Sequence, residues 1–294
     1  MAGFERLRVV LEMIKFEHTV FALPFALAGM LLAAVGWPPW PTVGWIVVAM
    51  VGARSAAMGF NRLADREIDA ANPRTASRAL PAGRVGPGFV TAFVAASLAL
   101  LVLAAWRLNP LCLALSPVAI AVLLGYSYAK RFTWASHALL GVALAGAPLG
   151  AWIAVAGTLA AAPLVLAAVV VTWVAGFDVL YALQDREFDR GAGLLSIPAR
   201  FGVVAALWIS GLLHVATLGL LAALPFAYTP GLGAAYWVGI AGCAALLAVQ
   251  HALIRPRDLS RLDAAFFTAN GVLSIWLLSA IAADLWLAGR NGLG

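Results

Sequence analysis

Charge is what this sequence has least of: Asp, Glu, Lys and Arg make up only 11% of its 294 residues, while 64% are hydrophobic. Water-soluble domains carry about 25% charged residues, so a soluble fold is excluded and lipid must take the place of water over most of the surface. Cysteine is scarce too. Cys112 and Cys243 stand alone in apolar runs, which excludes a disulfide framework or a spaced metal site and leaves each as a small buried hydrophobe. The four histidines, His18, His137, His214 and His251, lack zinc-like spacing. They read as helix-packing or interfacial groups, with His137 the candidate exception. No Walker loop, Gly-x-Gly-x-x-Gly fingerprint or Ser–His–Asp arrangement is visible. The net charge of +6 does not indicate nucleic acid, because the basic residues cluster between apolar segments, where topology accounts for them.

Apolar length is what the chain has in abundance. Stretches of about 20 residues, one bilayer each, fall near 19–36, 42–60, 88–106, 110–128, 135–155, 162–183, 203–224, 232–253 and 264–287. Two long uncharged regions are split at Gly157–Pro163 and at Pro225–Gly233. The first apolar run follows Glu5, Arg6, Arg8, Glu12, Lys15 and Glu17 without a small-residue cleavage site, which predicts an anchor helix and not a removable signal. Alternate loops then differ sharply in Lys and Arg: every basic residue except Arg107 and Arg290 falls on the side of the amino terminus. That side is the cytoplasmic one. The acidic residues lie there as well, except Asp284. The predicted fold class is all-α: one polytopic membrane domain over 1–294, with nine transmembrane helices and a cytoplasmic amino terminus. The 28 glycines suit close approach of membrane helices.

The cytoplasmic loops after helices 2 and 6 are the longest, and they resemble each other. Asp65-Arg66-Glu67-Ile68-Asp69 recurs 120 residues on as Asp185-Arg186-Glu187-Phe188-Asp189, which marks an internal repeat with halves of roughly 15–130 and 135–255 and a ninth helix at 264–287. Asn61 precedes Asp65 by four residues; Asp178 precedes Asp185 by seven, with Tyr181 at the position matching Asn61. If the helices continue, each set lies on one face. Two acidic helix ends can be solvated caps with Arg66 and Arg186 as local partners. However, like charges four apart repel, and Asp178 lies inside an apolar span, where ionisable groups are costly and usually functional. Carboxylates without His or Cys point to a hard ion such as Mg2+, which takes one or two carboxylates plus waters and substrate phosphates. A substrate diphosphate is the natural bridge. Arg74 and Arg78, in Asn72-Pro73-Arg74-Thr75-Ala76-Ser77-Arg78-Ala79-Leu80-Pro81-Ala82-Gly83, and Lys130-Arg131 between helices 4 and 5 suit phosphate oxygens. Arg84, Arg255, Arg257 and Arg261 read as topology markers.

These residues resemble the UbiA superfamily of intramembrane prenyltransferases, whose members share two Asp-rich motifs on nine helices. The family's first motif, Asn-Asp-x-x-Asp-x-x-x-Asp, is matched by Asn61, Asp65 and Asp69, with Arg62 in place of its first aspartate. The second, Asp-x-x-Tyr-Ala-x-x-Asp-x-x-x-Asp, is matched by Asp178, Tyr181, Ala182, Asp185 and Asp189. With Asn72–Gly83 and Tyr128-Ala129-Lys130-Arg131, the resemblance runs from about residue 15 to 205. Ile14–Thr19, Asn61–Asp65 and Leu195–Gly202 are most similar to 4-hydroxybenzoate polyprenyltransferases, in the branch found with the futalosine route to menaquinone.

The resemblance implies an enzyme that transfers a polyprenyl group from polyprenyl diphosphate to an aromatic acid acceptor, 4-hydroxybenzoate first, in quinone biosynthesis. Other acceptors are dihydroxynaphthoate, homogentisate, haem or a chlorophyll precursor. It implies Mg2+ held by Asn61, Asp65, Asp69, Asp178, Asp185 and Asp189, with Arg74, Arg78, Lys130 and Arg131 on the diphosphate, at the cytoplasmic side of the inner membrane. No obligate protein partner is expected. Tyr126, Tyr128, Trp173, Phe177 and Tyr181 lie near cytoplasmic helix ends, where aromatics form interfacial belts or stabilise an allyl cation. Arg54, seven residues before Asn61, can pair with an acceptor carboxylate or with a motif carboxylate. A rival from another class is an ion-coupled transporter. Placement of both acidic motifs at one membrane face, among Arg and Lys, argues against it.

Overall fold

The computed structural model describes Val9, Glu12, residues 22–254, Leu259 and residues 262–290. His18, Arg255, Arg257, Arg261 and the first part of the span expected at 19–36 lie outside the described residues. Among the described residues every regular element is helical: α1 Leu23–Ala34, α2 Trp40–Ala64, α3 Arg66–Ala71, α4 Pro87–Leu108, α5 Pro110–Gly125 with a 3-10 turn Tyr126–Arg131, α6 Ser136–Ala156, α7 Ala161–Tyr181 with a 3-10 turn Ala182–Asp185, α8 Arg186–Gly191, α9 Ile197–Ala227, α10 Ala234–Leu253 and α11 Leu262–Arg290. Proline opens α4 and α5, where the missing N–H costs nothing. Asn109 caps α5, its Oδ1 accepting from Cys112 N at 2.9 Å.

Eight of these helices are long and apolar enough to cross a membrane, and α1 is a shorter apolar helix of 12 residues. The protein is an integral membrane protein. Both splits of the uncharged regions are real: α6 ends at Gly157, whose φ is 67°, and α9 and α10 are separated between Ala227 and Ala234. The helix expected over 203–224 is the longer part of α9. Ser196 accepts from Ala199 N at 3.3 Å and starts α9 at Ile197, and a break at Gly202 (φ 81°, ψ 175°) follows, a conformation open to glycine and closed to most L residues.

The chain divides into two compact units: one of Gly44–Tyr128 with the described residues of 1–19, the other of Val20–Val43 with Ala129–Gly294. Within the first, α2 meets α4 closely enough that a Cβ on Gly52 would stand 2.8 Å from Ser97 O. Ala79, Leu80, Val85 and Val90 form a small apolar core, with Met58, Leu63, Phe89, Phe93 and Val9 against it, and this core carries the loop after the first acidic motif. In the second unit α7 is the buried axis. It packs on α6 and α9 and touches α1 and α11; a Cβ on Gly141 of α6 would stand 2.6 Å from Val171 O. A second core, Val179, Leu180, Leu183, Ile197, Ala206, Ile254 and Leu262, lies beneath the second acidic motif.

Asp284, set apart by sequence from the other acidic residues, has a structural task in this unit. Buried on α11, it accepts from Gly233 N at 2.7 Å and Tyr236 N at 3.2 Å. It supplies from a neighbouring helix the N-terminal cap of α10 that Gly233 has no side chain to provide.

Candidate active site

The two acidic motifs share a local backbone. Asp65 (φ −98°, ψ 9°) ends α2 and opens the six-residue α3; Asp185 (φ −99°, ψ 2°) follows α7 and opens the six-residue α8. The expectation of one regular helix through each motif is therefore corrected: the chain leaves the α-helix at the central aspartate, through a 3-10 turn in the second copy. Aspartate favours such positions because its short side chain competes with the backbone inside a helix. The two motifs thus share local backbone geometry, and in each the final aspartate, Asp69 or Asp189, is buried.

In the first unit, Asn61 Nδ2 donates to Asp65 Oδ2 at 3.0 Å. Asp69 is held by two arginines. Arg78 Nη1 reaches both its oxygens, at 2.7 and 2.8 Å, and Arg62 Nη1 stands 3.6 Å from Oδ2. Thr75 donates to the Asp69 carbonyl at 2.9 Å, and Asn72 Oδ1 accepts from Arg74 N at 3.0 Å, so the Asn72–Gly83 segment is folded back onto the motif. Arg74 itself is exposed. Arg62, Arg78 and Arg84 line one cavity of about 230 Å³ with Glu12. Tyr126 lies within electrostatic reach of Arg62, Asp65 and Arg54, and Tyr128 meets Phe60 edge-on at 5.9 Å.

In the second unit, the aspartates stand apart in their partners. Asp185 and Asp189 are buried. Asp189 Oδ2 has no hydrogen-bond partner, and Lys130 Nζ is 3.9 Å from it. Arg131, the neighbour of Lys130, is exposed. Asp178 Oδ2 lies 2.6 Å from His137 Nδ1, and the other ring nitrogen accepts from Ile197 N at 3.3 Å. Trp173, Phe177 and Tyr181 form a stripe at four-residue spacing on α7. Tyr181 lies against Phe266 with ring centroids 4.2 Å apart, and Phe177 meets the same ring edge-on at 5.2 Å. Trp173 is fully buried and donates to Asn270 Oδ1 at 3.1 Å, so it belongs to the core and not to an interfacial belt. Phe266 and Phe267 on α11 went unnoticed in sequence because they lie beyond the repeat. His214 and His251 pair with each other, Nδ1 to Nε2 at 2.8 Å, and the His214 ring packs on Gly176 of α7.

Among the described residues no three His, Cys, Asp or Glu side chains gather as a ready metal cage. Mg2+ does not ask for one, since it keeps waters and uses substrate phosphates. The donors present suit it: hard carboxylate oxygens, one of them, Asp189 Oδ2, buried without a hydrogen bond. Asp185 and Asp189, both buried, and Asp178 seven residues before Asp185 offer carboxylates of the kind such an ion takes.

Comparison with known proteins gives the family. The model of the UbiA prenyltransferase family matches residues 22–278. A 4-hydroxybenzoate octaprenyltransferase of Vibrio cholerae serotype O1 is 34% identical over 263 residues, 87% of this chain and 89% of its own. One of Burkholderia vietnamiensis is 31% identical over 98% of this chain and 99% of its own. Among solved structures, a UbiA homolog from Aeropyrum pernix K1 has a TM-score of 0.82 at 36% identity, covering 92% of this chain and 98% of its own. A homolog from Archaeoglobus fulgidus, bound to GPP and Mg2+, shares the fold with a TM-score of 0.73 at 19% identity over 95% and 99%. With both acidic motifs in place and family likeness across most of its length, the chain belongs to the UbiA prenyltransferase family.

Proposed function

We propose that this protein transfers a polyprenyl group from polyprenyl diphosphate to the ring of 4-hydroxybenzoate, ortho to the hydroxyl, at the cytoplasmic side of the inner membrane. The single observation that carries the reading is the buried Asp189 carboxylate opposite Lys130, whose Oδ2 makes no hydrogen bond, within a motif matched in full. The acceptor follows from the similarity to 4-hydroxybenzoate octaprenyltransferases. In this reading nine membrane helices accommodate the greasy tail.

In this reading Asp65, Asp69, Asp185 and Asp189, with Asn61 and Asp178 in support, make up the Mg2+-holding set. Mg2+, when bound, neutralises diphosphate oxygens and makes diphosphate a better leaving group. Arg74, Arg78, Lys130 and Arg131 take up the charge that develops on the leaving group as the allylic carbon–oxygen bond lengthens. Cations fixed in advance lower that barrier more than they tighten ground-state binding. Tyr181, braced by Phe266, offers its ring to the allyl cation, while the apolar walls keep water away until the aromatic ring attacks. Arg54 binds the acceptor carboxylate.

The test is direct. Purified protein in lipid or detergent, with Mg2+, a polyprenyl diphosphate and a panel of aromatic acceptors, yields prenylated 4-hydroxybenzoate by mass, and chelator, Asp65→Asn or Asp185→Asn abolishes it. Exclusive use of another acceptor overturns the substrate. If Arg54→Lys prenylates with unchanged apparent affinity for 4-hydroxybenzoate, carboxylate recognition belongs elsewhere. The transporter alternative is at odds with membership of a prenyltransferase family.

A further inference from the structure

We infer that His137 is a positioning residue for Asp178: it fixes the direction of that carboxylate, and through it the grip on the metal–diphosphate, without touching substrate. The inference rests on the reading above, in which Asp178 supports the Mg2+-holding set. Its basis is a chain of two hydrogen bonds through one imidazole. Nε2 accepts from Ile197 N at 3.3 Å, and a backbone N–H can only donate. That nitrogen therefore presents its lone pair, and the ring proton resides on Nδ1, where it is donated to Asp178 Oδ2 at 2.6 Å. An acceptor at one nitrogen thereby selects the tautomer at the other.

The burial of the two partners differs in the way a positioning pair requires. The His137 side chain is 1% exposed and that of Asp178 is 20% exposed, so the imidazole is locked in the interior while the carboxylate reaches toward the accessible side. The three groups come from three places: the first turn of α6, the last turn of α7 and the first residue of α9. Leu195 N also donates to Lys130 O at 2.7 Å, which ties the segment before α9 to the residue whose ammonium faces Asp189. Ionised carboxylates repel one another, and with Asp185 and Asp189 in the same motif that repulsion favours turning an unheld Asp178 away from them. A short charge-assisted bond from a buried ring prevents that, in the manner of the outer-shell partners that orient metal-binding side chains.

Purified full-length wild type is compared with His137→Asn, His137→Gln and His137→Ala. Asparagine keeps a donor at the Nδ1 position; glutamine keeps a polar atom at the Nε2 position and has no donor at Nδ1. Three quantities are read: Mn2+ affinity by electron paramagnetic resonance in the presence of inorganic pyrophosphate, kcat and KM for 4-hydroxybenzoate prenylation, and the thermal midpoint. Outer-shell losses of this type run about 10–100-fold. Glutamine and alanine are expected to lose kcat and Mn2+ affinity within that range with KM for the acceptor unchanged, and asparagine to stay within about threefold of wild type. Equal behaviour of the asparagine and glutamine variants, or an alanine variant with wild-type Mn2+ affinity and kcat, overturns the inference and leaves a packing histidine. Should the alanine variant fail to fold, the asparagine–glutamine contrast decides. If wild type prenylates no 4-hydroxybenzoate while Mn2+ affinity still separates asparagine from glutamine, the acceptor reading falls and the positioning role stands.

Discussion

Arg62 Nη1 lies 3.6 Å from Asp69 Oδ2, with each side chain 9% exposed. An arginine in the place of a family aspartate thus turns from an anomaly into a partner: it shares with Arg78 the neutralisation of the last carboxylate of the first motif. The matching carboxylate of the second motif, Asp189, is ion-paired with a lysine at 3.9 Å. The two copies of the repeat share a backbone and differ in how their final charge is balanced.

Removing Asp69 leaves Arg62 buried without its counter-charge. Breaking a buried pair in this way costs about 3–5 kcal/mol, so Asp69→Ala is expected to lower stability strongly in detergent, as read by thermal or chemical unfolding. Arg62→Met in the Asp69→Ala background is expected to recover much of the loss. A double variant no more stable than Asp69→Ala alone denies the pairing.

Asp284→Ala removes the cap that α11 lends to α10. Loss of a helix cap costs about 0.5–2 kcal/mol, and the unfolding midpoint falls accordingly. Prenyl transfer per folded molecule is expected to be unchanged, because Asp284 bonds the Gly233–Tyr236 turn and belongs to neither acidic motif.

Gly141→Val forces α6 off α7, since the first added carbon would stand 2.6 Å from the Val171 carbonyl oxygen. Overpacking costs about 1–3 kcal/mol. Gly146, with nothing near its missing Cβ, is the control: Gly146→Val has no such clash, and the difference between the two midpoints measures the contact.

Mg2+ that binds the folded protein must also stabilise it. At a concentration about 100 times its dissociation constant, that linkage amounts to about 2.7 kcal/mol. Adding Mg2+ with inorganic pyrophosphate is expected to raise the unfolding midpoint, chelator to reverse the rise, and Asp189→Asn to abolish it. A rise that survives Asp189→Asn places the ion on other residues.

Tyr181→Ala is expected to lower kcat by a factor corresponding to a cation–π contribution of about 0.5–2 kcal/mol, with Tyr181→Phe close to wild type. Single-turnover prenylation separates this from product release. Equal loss in both variants assigns the effect to the hydroxyl and not to the ring.

Much of this was written in the sequence. Helix lengths and their ends could be seen because they follow from solvent preference and local backbone rules: runs of about 20 apolar residues, proline at first turns, and Gly157 after α6 in a left-handed conformation. The repeat could be seen because two identical spacings of Asp, Arg and Glu leave no ambiguity. The break of the helix at Asp65 and Asp185 was hidden, since a four-residue spacing is equally compatible with an unbroken helix. Phe266 was hidden for a different reason: an aromatic in an apolar span carries no mark of the residue it will meet.

By itself, then, the sequence determined the solvent, the helical class, the repeated acidic motifs and the chemistry that carboxylates without His or Cys ligands can perform. Only the tertiary structure decided that Arg62 answers Asp69, that His137 joins Asp178 to Ile197, and that Asp284 caps a helix 51 residues away in sequence from its first contact. Composition and periodicity are local properties of a chain. A hydrogen bond between distant residues depends on the path the backbone takes between them, and no local pattern records that path.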